Sequence, residues 1–276
     1  MSRRDSYPPG VPCFVETLTP DPNAAQRFYA GIFGWEFAGS GPLPGPGPAE
    51  YFIARHDGHD VAGLALLPPE PIAPPPPAWD THVSVADLDE AAARAVAAGG
   101  SLRLAPFDAL PAGRLAVVAD PAGAVFCLWE AGSRPGAALV NEPSAWAMSL
   151  LSTDDPEGAQ VFYGELFGWR AEGFEAGPGI EMWLWRLPGY VGGEPHQPVP
   201  RDVVAAMARL DASAEAPGPH WSVDFWIADA DAAADTAPGL GGSVLAAPFE
   251  VAGFRRTVLA DPQGAVFSAS QLLLPA

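Results

Sequence analysis

Apolar and polar positions along this chain alternate between two periods. Residues 14–18, Phe14-Val15-Glu16-Thr17-Leu18, form a short β-prone run that predicts a strand. Asp21 then stands where a helix N-cap belongs, with Pro22 at the first helical position. Ala25, Phe28, Tyr29, Ile32 and Phe33 follow at the spacing of one buried helical stripe, and Gly34 falls where a left-handed cap would end it. Strands are predicted near 51–55 and 61–66. The proline-rich stretch over 68–77 can be neither helix nor central strand, so it predicts a stiff connection. The order then restarts: a strand over 82–85, an alanine-rich helix over 87–98 closed by Gly99-Gly100, and strands near 101–105, 114–119 and 124–129.

The second half repeats the first. Phe28-Tyr29-Ala30-Gly31-Ile32-Phe33-Gly34-Trp35 recurs as Phe162-Tyr163-Gly164-Glu165-Leu166-Phe167-Gly168-Trp169. Trp79 followed by Asp87-Leu88-Asp89 recurs as Trp221 followed by Asp229-Ala230-Asp231. Asp120-Pro121-Ala122-Gly123-Ala124-Val125-Phe126 recurs as Asp261-Pro262-Gln263-Gly264-Ala265-Val266-Phe267. Several matches in one order indicate a tandem duplication. The Gly-, Ala- and Pro-rich stretch over 132–144 is the expected linker, which gives two domains, 1–135 and 136–276. Each would be α+β, built from two βαβββ modules.

Paired βαβββ modules with an Asp-Pro-x-Gly turn before the last strand resemble the vicinal-oxygen-chelate superfamily of glyoxalases, bleomycin-resistance proteins and extradiol dioxygenases. The helix ending in Phe-Tyr…Phe-Gly-Trp adds to the likeness, which covers nearly the whole chain. It is similar in particular to the two-domain glyoxalase-like proteins of actinobacteria found beside antibiotic-biosynthesis enzymes. The resemblance implies two half-open barrels, each with a ligand concavity, and a divalent metal held by His, Gln or Glu on the concave face. On that pattern the ligand positions fall on Phe14, Asp80 and Cys127 in the first repeat and on Met148, Ser222 and Ser268 in the second. The remaining position, near 61–64 or Val191, is apolar. A hard divalent ion needs several oxygen or imidazole donors together, so no metal and no other cofactor is expected.

Strand side chains alternate faces. If Phe14 faces the concavity, Glu16 does too; if Asp80 does, so does His82. An acid and an imidazole on equivalent strands across one cavity could transfer protons, which makes Glu16 and His82 the candidate catalytic pair. The competing reading is a satisfied structural pair. The candidate ligand-binding set is Phe14, Glu16, Trp79, Asp80, His82, Cys127 and Trp129 from the first repeat, with Met148, Ser222, Asp224 and Trp226 from the second. The first-repeat concavity is expected to be the working pocket. His56 and His59 read as solvated turn residues in His56-Asp57-Gly58-His59-Asp60, and His196 sits in a Gly/Pro-rich loop. Cys13 and Cys127 are expected to be reduced and to point to opposite sheet faces.

Charge narrows the partners. The chain carries 33 acidic and 14 basic residues for a formal net charge of −19, and the sequence contains no lysine. That excludes a Schiff-base lysine and a P-loop lysine, and it argues against nucleic acid as a partner. A negative field favours cationic small molecules. No apolar run spans a bilayer and no apolar signal stretch follows Met1, so a cytoplasmic protein is expected, as a monomer or homodimer and without a membrane partner. There is no Gly-x-Gly-x-x-Gly, Gly-x-Ser-x-Gly or His-Glu-x-x-His motif.

Two functions follow. One is a metal-independent binding protein for a planar aromatic natural product, with or without an amine, serving sequestration, self-resistance or delivery to a biosynthetic enzyme. The other is a metal-independent tailoring enzyme, a lyase, isomerase or hydroxylase-like accessory, using Glu16 and His82 as acid and base.

Overall fold

The computed structural model describes residues 3–41, 50–66, 78–177, 180–192, 199–210 and 217–273. The expected connection over 68–77 and His196 lie outside them. The first repeat begins with β1 (Pro12–Thr19), α1 (Pro22–Phe33), β2 (Glu36–Gly41), β3 (Tyr51–His56) and β4 (His59–Leu66). It continues with β5 (Trp79–Ser84), α2 (Leu88–Ala97), β6 (Ser101–Ala109), β7 (Gly113–Ala119) and β8 (Val125–Ala131). The second repeat runs β9 (Trp146–Thr153), α3 (Pro156–Phe167), β10 (Arg170–Gly177), β11 (Ile180–Arg186) and β12 (Val203–Arg209). Then come β13 (His220–Trp226), α4 (Ala230–Thr236), β14 (Ser243–Val251), β15 (Phe254–Ala260) and β16 (Val266–Leu272).

The local signals act as their chemistry dictates. Asp21 caps α1 by accepting from the Ala24 amide at 3.0 Å, and Asp155 caps α3 through Gly158 at 2.9 Å. Gly34 and Gly168 end these helices at φ 69° and 75°, a conformation that costs glycine little. Asp57 and Gly58 both take positive φ, which fits the two-residue turn joining β3 to β4, with His56 opposite His59. β2 was not expected, because Glu36-Phe37-Ala38-Gly39-Ser40-Gly41 carries little β signal; it is recruited by pairing with β3. α4 stops after seven residues, and Pro238 lies in the 3-10 turn Ala237–Leu240 that follows.

Each repeat makes one eight-stranded mixed sheet, in the orders β2-β3-β4-β1-β5-β8-β7-β6 and β10-β11-β12-β9-β13-β16-β15-β14. The first strands of the two modules meet antiparallel at the centre, β1 on β5 and β9 on β13. Neither sheet closes on itself: β2 and β6 are the edges of one, β10 and β14 of the other. The sheets sit back to back. Thr81 and Ser149 hydroxyls touch across the middle at 2.7 Å, and the helices fill the space on either side. α1 places Phe28, Tyr29 and Phe33 against Phe225 and Phe267 of the second repeat. α3 places Phe162, Tyr163 and Phe167 against Phe126 of the first.

The motifs that defined the repeat meet here. Tyr163 donates to Asp120 at 3.0 Å, and Tyr29 donates to Asp261 at 3.1 Å. Trp221 and Trp79 donate to those same tyrosine oxygens at 2.9 and 3.2 Å. Trp35 reaches the Ser144 carbonyl and Trp169 the Gly10 carbonyl, each at 2.7 Å. With the helical faces buried against each other, the opposite face of each sheet is left as a concavity. No helix among the described residues is long and apolar enough to cross a membrane.

Candidate functional site

Strand pairing fixes which candidates share a face. In the first repeat Phe14 lies opposite His82, Glu16 opposite Asp80, and His82 beside Cys127. These five side chains therefore stand together on the concave face. His82 Nε2 is 3.2 Å from Glu16 Oε1, without the alignment of a hydrogen bond. Tyr51 donates to Glu16 Oε2 at 2.7 Å. It reaches across because position 63 is glycine; a Cβ there would strike the Tyr51 hydroxyl. Phe14 and Trp129 set ring edges against His82 at 5.9 and 6.1 Å.

This cluster is buried rather than open: Phe14, Glu16, His82, Cys127 and Trp129 are each less than a tenth exposed. Its two carboxyls respond in opposite directions. Burial pushes Glu16 up, but the neighbouring His82 imidazole and the hydrogen bond from Tyr51 outweigh it and hold the carboxyl below its usual range. Asp80 is pushed up to about 7 by burial and by the Glu16 charge beside it. Cys127 is kept a thiol by burial, with Asp80 and Glu16 adding to the effect.

Trp79, expected among the ligand contacts, faces the other way. It neighbours Asp80 in the strand, so alternation turns it into the inter-repeat core, where it packs on Tyr29 and Phe225.

An open cavity of about 460 Å³ lies in the second repeat. Met148 and Asp224 face each other across β9 and β13, and both line it, as does Trp226. Phe174, Met182 and Leu184 form the wall from β10 and β11, and Phe254 the wall from β15. Ser222 does not line it; its hydroxyl reaches the Leu150 carbonyl at 3.4 Å. The N-terminal segment closes one side with Arg4, Tyr7, Val11 and Pro12. It is tied down by the Tyr7 hydroxyl on the Ala137 carbonyl at 2.7 Å.

Sequence reasoning named Asp224 but missed its partners in the floor of this cavity, Arg256 and Ser270. Arg256 donates from Nη2 to Asp224 Oδ2 at 2.7 Å and from Nε to Ser270 Oγ at 2.9 Å. Ser270 in turn reaches both Asp224 oxygens at 2.8 and 2.9 Å. Burial raises the Asp224 carboxyl, and Arg256 and Ser270 act against that rise. The available signal was the alternation Phe254, Arg256, Val258, which puts an arginine in the middle of an inward-facing strand row. Arg186, also in the wall, is held by Glu172 at 2.6 Å and by Asp202.

Two spans of the chain, 13–129 and 136–270, match the model of the glyoxalase-like domain. The chain belongs to the glyoxalase-like family. Among the relatives of this glyoxalase-like protein is CFP32 of Mycobacterium tuberculosis, provisionally assigned as a glyoxylase, 35% identical over 97% of both chains. The anthracycline biosynthesis protein DnrV of Streptomyces peucetius is 32% identical over 96% of this chain and 94% of its own. DauV of Streptomyces sp. strain C5, also named for anthracycline biosynthesis, matches to the same extent. The fold is shared with the Mn(II)-bound glyoxalase of Novosphingobium aromaticivorans at TM-score 0.63 and 17% identity, over 99% of this chain and 84% of that one. It is shared too with the 2,2',3-trihydroxybiphenyl 1,2-dioxygenase of Sphingomonas wittichii RW1, at TM-score 0.58 and 14% identity over 95% and 90% of the two chains.

The donors of this glyoxalase-like chain do not fit a divalent metal. Among the described residues no group of three or more His, Cys, Asp or Glu side chains is arranged to hold a metal ion. Both Glu16 oxygens are engaged, Cys127 is held protonated, and Asp224 is taken by Arg256 and Ser270. Phe14 and Met148 stand on the first strands, at the positions where the resemblance implied metal ligands, and neither offers a hard ligand.

Proposed function

We propose that the protein binds a planar aromatic natural product, without metal, in the concavity of the second sheet. The observation that carries this reading is the cavity of about 460 Å³ walled by Met148, Phe174, Met182, Trp226 and Phe254. That is the size and lining of a small-molecule site. Flat rings sandwiched between thioether and aromatic walls exchange apolar surface with water at roughly 25 cal/mol per Å², partly offset by lost ligand freedom, so micromolar affinity is expected. Two relatives named for anthracycline biosynthesis support the class of ligand.

Tryptophan fluorescence tests it, since Trp146 and Trp226 line the cavity. Saturable quenching by a planar aromatic such as naphthalene, lost when Met148→Trp fills the space, is the expected result. Non-saturable quenching, or equal binding to the filled variant, overturns it.

A second reading is favoured by one observation, the 3.2 Å approach of Glu16 to His82. In it the pair acts as acid and base of a tailoring enzyme. Turnover of a bound aromatic that disappears in His82→Asn while binding persists would establish that reading over the first.

A further inference from the structure

We infer that Arg256 serves where other family members use a metal ion: its guanidinium anchors an oxygen, carbonyl or phenolate, carried by the aromatic ligand of the second cavity. This rests on the binding reading above and names the ligand's polar end.

Three observations lead there. First, the guanidinium is held in place with a donor to spare. Nε and Nη2 are spent on Ser270 and Asp224, while Nη1 has no protein partner among the described residues. The side chain lines the cavity and keeps 25% of its surface exposed. A rigid fork with a free N–H loses little freedom when it meets an acceptor.

Second, the fold does not require this group. Aligning the Asp-Pro-x-Gly turns sets Arg256 opposite Leu115 and Ser270 opposite Trp129; aligning Trp221 with Trp79 sets Asp224 opposite His82. The first repeat builds the same sheet with leucine, tryptophan and histidine at these places. The whole ionic cluster is therefore particular to the second concavity. A buried ion pair is a poor way to stabilise a sheet compared with apolar packing, so its presence under an apolar cavity calls for a recognition role.

Third, the chemistry selects the ligand. A guanidinium offers only donors and a positive charge. It repels an ammonium and attracts an acceptor oxygen, most strongly one that can ionise. Of the other arginines in the lining, Arg186 is held by two carboxylates, Glu172 and Asp202, where Arg256 has one, and Arg4 lies on the N-terminal side of the cavity. The amine preference expected from the net negative charge of the whole chain does not carry over to this cavity. The ligand class is thus an aromatic ring system bearing an acceptor oxygen, carbonyl or phenolate.

Two probes on one bicyclic frame test this: naphthalene and 2-hydroxy-1,4-naphthoquinone, titrated into the full-length protein by tryptophan quenching. Wild type should prefer the hydroxyquinone at least 10-fold. The visible spectrum of the bound hydroxyquinone should show ionisation at lower pH than the free compound. The paired variant D224N/R256Q removes both charges together, so that no carboxylate is left buried alone. It should abolish the preference and the spectral shift while keeping naphthalene binding. If naphthalene and the hydroxyquinone bind wild type equally, or if D224N/R256Q retains the preference, the anchor is refuted and the apolar cavity reading stands. If neither probe binds wild type, the cavity reading fails and this inference with it. Should the paired variant not fold, R256K decides: it keeps the charge without the fork, and an undiminished preference there overturns the proposal.

Discussion

The Tyr163 hydroxyl, on a helix of the second repeat, donates to Asp120 Oδ2 in a turn of the first at 3.0 Å, and receives the Trp221 indole N–H at 2.9 Å. Tyr29 occupies the mirrored place against Asp261 and Trp79. Removing one hydroxyl strands a buried carboxylate oxygen and a buried N–H together. Tyr163→Phe should therefore cost roughly 1–3 kcal/mol, read from urea unfolding, and Tyr29→Phe a similar amount. A loss under about 0.3 kcal/mol for either would show that the relay contributes nothing to folding.

Glu16 and Asp80 sit opposite one another on β1 and β5, and the pair divides its protons unequally. His82 and Cys127 share the same face. Asp80 titrates near 7 in the native state because of burial and the Glu16 charge, against about 3.9 when unfolded. Between those values the native state holds the extra proton, so stability falls as pH rises from about 4 to about 7. The part contributed by this group is about 2–4 kcal/mol. Asp80→Asn should raise the melting temperature at pH 8 and flatten that part of the pH profile. An Asn variant whose profile overlays wild type would disprove the assignment.

Gly100 and Gly242 follow the second helix of each repeat and lie under a phenylalanine of the other. A Cβ at Gly100 would come within 2.9 Å of Phe162, and one at Gly242 would run into Phe28. Gly100→Ala and Gly242→Ala should each destabilise by about 1–3 kcal/mol through overpacking. Chemical denaturation of both variants checks it, and a gain in stability from either would contradict the close approach.

Cys13 and Cys127 are free and buried. Burial raises both thiols, Cys13 beyond the usual range. Native protein should leave a thiol reagent unconsumed over minutes and release two thiols per chain on unfolding. Rapid reaction of either in the native state would place it at an accessible surface instead.

The sequence carried what depends on short spacings. Asp21, Pro22 and Gly34 marked a helix at both ends, and the alternation along β1 and β5 correctly put Glu16 and His82 on one face. The reciprocal motifs announced the duplication. What it did not carry depends on distant packing. Trp79 was grouped with its neighbour Asp80, although adjacent strand residues cannot share a face. The volume of a concavity is set by how edge strands and the N-terminal segment cover it, so nothing near Phe14 or Met148 indicated that the second space would be the open one. Arg256 is 32 residues from Asp224 in the chain, and only the parallel pairing of β13 with β16 sets Asp224 beside Ser270 for it to bind.

Each repeat supplies the tyrosine that the other repeat's turn receives, and the phenylalanine that covers the other repeat's glycine. Two separate copies of one such unit could make these contacts as an isologous pair. Within a single chain the same contacts form at a fixed effective concentration, whatever the amount of protein in the cell. The duplication also breaks the sameness that a true dimer enforces. The surface shared by the repeats remains bound to symmetry, while the outward faces are free to drift apart, one filling with a buried acid–imidazole cluster and the other keeping an arginine under an open space.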